Sequence, residues 1–101
     1  MKKIINGKRY DTEKATLIGE GGYAHRGDHS YYWETLYRTT KGRFFVARES
    51  GPNSKYAEPV DHSTRSGGSA IIPLEAEEAR TLAERLCDED TISQYFDIED
   101  A

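Results

Sequence analysis

Three histidines are the side chains in this sequence that are best suited to bind a metal ion. His25 and His29 are four residues apart, Asp28 precedes the second of them, and His62 lies further along the chain. Imidazole and carboxylate groups of this kind can form three- or four-ligand zinc sites. The spacing helps only if residues 25–29 are helical, and the surrounding glycines favour a loop. We therefore interpret them as solvated loop histidines, and expect the protein to need no metal and no other cofactor.

The candidate nucleophiles are Cys87 and the serines. Cys87 falls at the end of an apolar helical pattern, which favours a buried structural thiol over a catalytic one. No GxSxG elbow surrounds any serine. The GEGG run at 19–22 lacks the preceding strand and following helix of a phosphate loop. We interpret it as a helix C-cap that leads into a flexible loop, and we predict that the protein is not an enzyme.

Basic side chains alternate with aromatic ones in the first part of the chain, as in the run YYWETLYR at 31–38. Lysine or arginine beside stackable rings on a sheet is a composition that binds single-stranded nucleic acid. The residues that we assign to such a face are Tyr32, Arg38, Arg43 and Arg48. The formal net charge of −4 opposes this binding. A nucleic-acid-binding face is therefore the alternative hypothesis, to be weighed against ordinary solvated charges and core aromatics.

Negative charge is concentrated at the C-terminal end. Residues 75–101 hold ten acidic side chains and two arginines, for a net charge of −8, whereas residues 1–74 sum to +4. Carboxylates in a first helical turn stabilise the positive end of the helix dipole, which accounts for part of this charge. The remainder indicates either simple solubilisation or association with a basic partner. The partner-binding residues that we predict are Glu77, Glu84, Asp88, Glu89 and Asp90.

Length and composition indicate one small folded domain. The chain has 101 residues, of which 36% are apolar and 32% charged, and its seven Tyr, three Phe and one Trp argue against disorder. A single cysteine excludes an internal disulfide and any multi-cysteine zinc site. No stretch approaches the roughly 18 apolar residues of a membrane span, and no signal peptide is evident. We expect a single domain over 1–101 in the cytoplasm, with no membrane partner.

The N-terminal half contains two predicted hairpins. Asn6-Gly7 favours a type I′ turn between residues 3–5 and 8–10. Asp11 then predicts a helix over 12–19, and the glycine-rich segment over 19–30 predicts a loop. The aromatic runs at 31–39 and 43–49 predict the central hairpin. One of its faces should pack on a helix, and the other would expose aromatic surface unless something covers it.

The C-terminal half contains the most regular pattern. A long loop over 50–69 leads to a short strand at 70–72, which Pro73 closes. Apolar residues then recur at helical spacing, and a short capped helix follows over 91–96. Residues 97–101 should be frayed. The order of elements predicts an α+β fold with a small antiparallel sheet of three to five strands and a C-terminal amphipathic helix on one face. The helix's apolar positions are Ala76, Ala79, Leu82, Ala83 and Leu86.

Four runs carry a resemblance to a known family: KIINGKRYDT, ETLYRTTKGRFF, SKYAEP and IIPLEAEEAR. Together they resemble a family of small uncharacterised bacterial proteins from phages, plasmids and integrative elements. The resemblance implies an accessory protein of a mobile element, and some small proteins of such loci act as anti-CRISPR inhibitors. Related sequences have a GEGG-like stretch after the central hairpin, where this chain reads ESGPNSKY.

The sequence therefore favours a non-enzymatic binding protein that occludes or mimics a nucleic-acid-binding surface on a host defence complex. A CRISPR effector subunit is the favoured partner because its nucleic-acid channels are positively charged. The alternative is a small nucleic-acid-binding or regulatory module that uses the basic aromatic face. A small hydrolase or metal-dependent enzyme is the residual possibility. Direct binding of nucleic acid is not the favoured expectation.

Overall fold

The computed structural model of this chain describes residues 1–23, 31–51, 58–59, 65–66 and 68–101. Within them, the fold is α+β, as the sequence predicted. None of its helices in these ranges is long and apolar enough to cross a membrane. The elements in chain order are β1 (Lys2–Ile5), β2 (Lys8–Asp11), β3 (Thr16–Tyr23), β4 (Tyr32–Arg38), β5 (Phe44–Ser50), β6 (Glu58–Pro59), β7 (Arg65–Ser66), β8 (Gly68–Leu74), α1 (Ala76–Leu86) and α2 (Glu89–Tyr95).

A four-stranded antiparallel sheet forms the centre of the fold, with the strand order β3-β4-β5-β8. The central hairpin β4–β5 forms where the two aromatic runs predicted it. Gly42 closes its turn with φ 84°, and the Gly42 amide donates to the Thr39 carbonyl at 2.9 Å. Pro73 pairs with Phe45 on β8, which is an edge strand, where a missing backbone N–H is tolerated.

The N-terminal hairpin β1–β2 also forms as predicted. Asn6 and Gly7 have φ values of 51° and 76°, the left-handed region that a type I′ turn requires. The hairpin packs against one face of the central sheet through Tyr10, whose ring makes an edge-on contact with Phe45 at 5.5 Å between centroids. Ile71 completes this small buried cluster. The hairpin is therefore what covers part of the aromatic face that the sequence left open.

Both helices pack on the other face of the sheet. The buried residues of α1 are Ala79, Leu82 and Ala83, and they join Leu36 and Val46 of the sheet in the main core. The apolar pattern of the sequence thus predicted this helix correctly. The shorter helix α2 also forms, and three residues of this segment pack against the core. Those residues are Ile92, Tyr95 and Phe96, the last with its ring stacked on Phe44 at 5.0 Å.

The helix predicted over 12–19 is wrong. Asp11 does cap a turn, since its carboxylate accepts from the Glu13 amide at 3.0 Å and its carbonyl accepts from the Ala15 amide at 3.1 Å. The chain then extends into β3 rather than continuing as a helix. Glycine has low helix propensity, and pairing with β4 buries Ile18 in the main core. The interpretation of 19–22 as a helix C-cap is wrong for the same reason.

The predicted loops lie largely outside the described residues. Of the loop predicted over 19–30, residues 19–23 belong to β3, so that prediction is wrong for them. Residues 24–30 lie outside the described residues. Of the segment predicted as a loop over 50–69, the ends belong to β5 and β8, and Glu58–Pro59 pairs with Arg65–Ser66. Residues 97–101 follow α2 without helix or strand and are exposed.

Gly19 shows how closely α1 approaches β3. A methyl group built on Gly19 would overlap the sulfur of Cys87, directly after α1. We expect Gly19→Ala to lower the free energy of unfolding by about 1 to 3 kcal/mol, because the helix end must move away. Gly68→Ala is the matched control, since nothing lies within 4 Å of the added methyl. Thermal unfolding compares the two, and equal stability of both variants would contradict this packing.

Candidate functional site

The helices present the predicted acidic residues on their solvent side. Glu77 and Glu84 are seven residues apart on α1, which is two helical turns, so they lie on one stripe of that helix. Glu89 and Asp90 lie in the first turn of α2. All four side chains are exposed, as is Asp88 between the helices. The structure thus brings the five predicted partner-binding residues onto one helical layer, on the face away from the sheet.

A groove runs between the two helices and the C-terminal tail. It has a volume of about 650 Å³. Two isoleucines, Ile92 and Ile98, give it an apolar part, and Ile98 is 52% exposed. Around them lie four carboxylates, with Arg80 as the one cation of the lining. Such a groove can accept the aliphatic part of a basic side chain and pair with its charge. The four carboxylates are those of Glu84, Glu89, Asp97 and Glu99.

Asp88 has a structural role that the sequence only partly indicated. It is the N-cap of α2, and its carboxylate accepts from the Thr91 amide at 2.9 Å. Hydrogen bonds from Thr91, first from its side chain and then from its backbone, lower the pKa of Asp88. Reversal of Asp88 to lysine would remove this cap and weaken the start of α2. Asp88 should therefore be left unchanged when the acidic surface is tested.

The four residues of the alternative nucleic-acid face lie at two ends of the central hairpin. Tyr32 pairs with Ser50 at one end of β4, where its ring stacks on Tyr23 at 6.1 Å. Arg38 pairs with Phe44 at the other end, six residues or about 20 Å away. Arg43 is exposed beside that second end. Because α1 covers the sheet between these ends, the four side chains do not form one continuous surface.

Arg48 is part of an ion-pair cluster that sequence reasoning missed. Its guanidinium lies 3.2 Å from one carboxylate oxygen of Glu34, and Arg85 of α1 lies 3.3 Å from the other. The Glu34 side chain is only 2% exposed, so this carboxylate sits between helix and sheet. Two cationic partners offset part of the cost of burying this carboxylate. The available signal was a glutamate among the mainly apolar and aromatic residues of β4.

The two arginines of this cluster should differ in their contribution to stability. Arg48 is 21% exposed and Arg85 is 52% exposed, so water screens the Arg85 pair more strongly. We expect Glu34→Gln to lower the free energy of unfolding by about 2 kcal/mol, because it removes the charge of the buried carboxylate that both arginines contact. Arg85→Met is the control and should cost less than about 1 kcal/mol. Urea unfolding would contradict this account if Arg85→Met were the more damaging change.

The remaining candidate residues offer no catalytic arrangement within the described part of the chain. The Cys87 thiol donates to the Ile18 carbonyl at 3.7 Å, and burial, followed by the nearby Asp88, raises the pKa of Cys87. Both features favour an inert thiol over a nucleophile. The described ranges contain no group of three or more histidine, cysteine or acidic side chains placed to hold a metal ion. The predicted histidines, His25, His29 and His62, and Asp28 lie outside those ranges.

No protein-family model, curated protein or solved structure matches this chain.

Proposed function

We propose that this protein is a non-enzymatic binding protein whose acidic helical layer binds a basic, nucleic-acid-binding surface of another protein. The observation that carries this proposal is the groove between α1 and α2. It combines an exposed apolar residue, Ile98, with four carboxylates and a single cation. An apolar centre within a charged rim is the usual organisation of a protein interface. We further propose that the protein acts in the cytoplasm.

The charge of this layer explains both what it binds and how it binds. Carboxylates at the positions of Glu77, Glu84, Glu89 and Asp90 present negative charge where a nucleic acid would present phosphates. A channel lined with lysine and arginine attracts both carboxylates and phosphates, because the attraction depends on charge rather than on sequence. The isoleucines of the groove would add affinity that a phosphate backbone does not offer. The protein would therefore occlude such a channel by occupying it.

A host defence complex is the proposed target. The resemblance of four sequence runs to proteins of phages and plasmids supports an inhibitor, and CRISPR effectors hold their nucleic acids in positively charged channels. We therefore propose an anti-CRISPR-like inhibitor that binds an effector subunit. The alternative of a small nucleic-acid-binding module has less support at its predicted face, because Tyr32 and Arg38 lie about 20 Å apart on β4.

Competition for target DNA tests this function. Purified CRISPR effector complexes would be mixed with labelled target DNA and increasing amounts of the protein, and DNA binding would be measured by fluorescence polarisation. We expect at least one effector to lose its DNA as the protein is added. If every effector held the protein and its DNA at the same time, or ignored the protein altogether, the proposal would be wrong.

A further inference from the structure

A second charged cleft lies where the hairpin β1–β2 meets the turn of the central hairpin. Its volume is about 450 Å³. Three of its cations come from the hairpin and the segment after it, Lys8, Arg9 and Lys14, and two come from the turn, Lys41 and Arg43. These two groups are about 30 residues apart in sequence and meet only because the hairpin packs on the sheet. The cleft is therefore a product of the fold.

Two hydrogen-bonded turns carry Lys14 on one side of the cleft, and Lys41 and Arg43 on the other. On the hairpin side, Asp11 fixes the turn that carries Lys14, since the Asp11 carbonyl accepts from the Lys14 amide at 3.3 Å. On the other side, the Thr39 hydroxyl accepts from the Arg43 amide at 3.0 Å, and the Thr39 amide donates to the Arg43 carbonyl at 2.7 Å. The backbone beneath both groups is thus tied by hydrogen bonds. The two turns therefore fix the backbone from which the flexible lysine and arginine side chains extend.

The five cations are not neutralised by the part of the protein that the structure describes. None of their side chains lies within 4.0 Å of a carboxylate of a described residue. Asp11 is the only acidic residue of the cleft lining, and its carboxylate accepts from the Glu13 amide at 3.0 Å. Five like charges around one cleft repel each other unless an anion is bound. The charge of this cleft is therefore opposite in sign to that of the groove between α1 and α2.

Tyr10 adds a neutral donor to the same cleft. Tyr10 lines the cleft. It is only 6% exposed, because its ring packs on Phe45. A phenol hydroxyl donates one hydrogen bond, so Tyr10 can donate to a ligand oxygen in this cleft.

We propose that this cleft binds the phosphate groups of a nucleic-acid backbone. Lysine and arginine contact phosphates without reading sequence, and the cleft lining contains no exposed aromatic ring on which a base could stack. The binding is therefore sequence-independent. This inference stands apart from the proposed inhibitor function, because it rests on different residues on a different face of the sheet.

The acidic helical layer does not prevent this binding. The hairpin packs on the Phe45 face of the sheet and the helices pack on the Phe44 face. Packed layers lie about 10 Å apart, so the two charged surfaces are separated by roughly two layers. Screening at physiological salt acts over about 8 Å. A phosphate in the cleft is thus largely shielded from the carboxylates of the helices.

Fluorescence anisotropy with labelled oligonucleotides tests this proposal. The probes are a 12-base-pair DNA duplex and a 12-nucleotide single-stranded RNA of unrelated sequences, titrated with the full-length protein from low to physiological salt. We expect micromolar binding of the duplex at low salt, with an affinity that falls with salt at a log–log slope of about −3.6 if about four phosphates are contacted. No binding of either probe at low salt would overturn the proposal.

Matched charge reversals locate the binding. The double variant Lys14→Glu/Arg43→Glu should weaken binding at least about tenfold and reduce the salt slope by about two. Lys2→Glu/Lys3→Glu makes the same change in net charge on exposed residues of β1 that do not line the cleft, and it should retain most of the binding. Circular dichroism would show that both variants are folded. If both double variants lost the same amount of affinity, the cleft would not be the binding site.

Competition with inorganic tripolyphosphate separates an extended backbone from a small anion. Millimolar tripolyphosphate should displace the duplex only partly if several phosphates are contacted along the backbone. If tripolyphosphate bound tightly in the cleft while neither oligonucleotide did, the cleft would be a small-anion site and the nucleic-acid assignment would be wrong.

Discussion

Leu82→Asp is expected to unfold the protein. Leu82 is 8% exposed and lies in the core between α1 and the sheet, beside Leu36 and Val46. The substitution removes about 2 to 5 kcal/mol of apolar packing. It also buries a carboxylate without a partner, which costs several kcal/mol more. A small domain has only about 5 to 15 kcal/mol of total stability, so the folded state should be largely lost.

Thermal unfolding followed by circular dichroism is the measurement for this variant. The wild type should melt cooperatively, whereas Leu82→Asp should show no cooperative transition at 25 °C and above. Thr81→Asp is the matched control, because Thr81 is exposed at the neighbouring position of the same helix. The control should lose only a few degrees. An unchanged melting temperature for Leu82→Asp would mean that α1 does not pack on the core.

The elements with strong local signals could be predicted from the sequence. Asn6 and Gly7 determine a type I′ turn by themselves, because both tolerate positive φ. The helical spacing of Ala79, Leu82 and Ala83 likewise identifies the buried face of α1 without knowledge of its partner. These signals are carried by a few neighbouring residues. Tertiary contacts reinforce them and do not oppose them.

β3 could not be predicted in this way, because its conformation depends on distant residues. Asp11 followed by charged and apolar residues resembles a helix start, but Gly19 and its neighbours disfavour a helix and accept a strand. The strand is selected by pairing with β4 and by the close approach of Cys87 to Gly19. Both contacts join residues that are far apart in sequence, so no local pattern reports them.

The candidate sites likewise differ in whether they are formed by neighbouring residues or by tertiary packing. The acidic layer could be predicted because its carboxylates lie within one short segment. The groove around Ile98 could not, since it depends on how the C-terminal tail lies against α1 and α2. The basic cleft also depends on tertiary packing, because Lys14 and Arg43 come from elements that meet across the fold. The pairing of Glu34 with Arg85 joins residues 51 positions apart.

Reversal of the acidic layer should have the largest effect on function. The variant changes four carboxylates to lysine, which raises the charge of the surface that faces the basic partner by eight units. The four residues are Glu77, Glu84, Glu89 and Asp90. We expect affinity to fall by at least about 100-fold, because like charges across an interface cost several kcal/mol. Association should slow and lose its salt dependence, since steering acts over long range. The fold should persist, because none of these residues is buried.

Two double variants with the same change in net charge distinguish a defined binding site from an effect of overall charge. Glu84→Lys/Glu89→Lys changes two carboxylates that line the groove. Glu13→Lys/Glu20→Lys makes the same change in net charge on exposed residues outside it. The groove pair should account for most of the lost affinity, and the outer pair should reduce binding less than about threefold. Similar losses in both pairs would indicate a long-range charge effect without a defined site.

The most direct test of the central claim measures how well each variant displaces target DNA from a purified CRISPR effector complex. The acidic reversals would be compared with Tyr32→Ala and Arg38→Glu, which alter the alternative nucleic-acid face. If the acidic layer is the binding surface, its reversals should abolish displacement of the DNA. Tyr32→Ala and Arg38→Glu should then displace the DNA as well as the wild type does. Displacement that survives the acidic reversals and is lost in Tyr32→Ala and Arg38→Glu would contradict it.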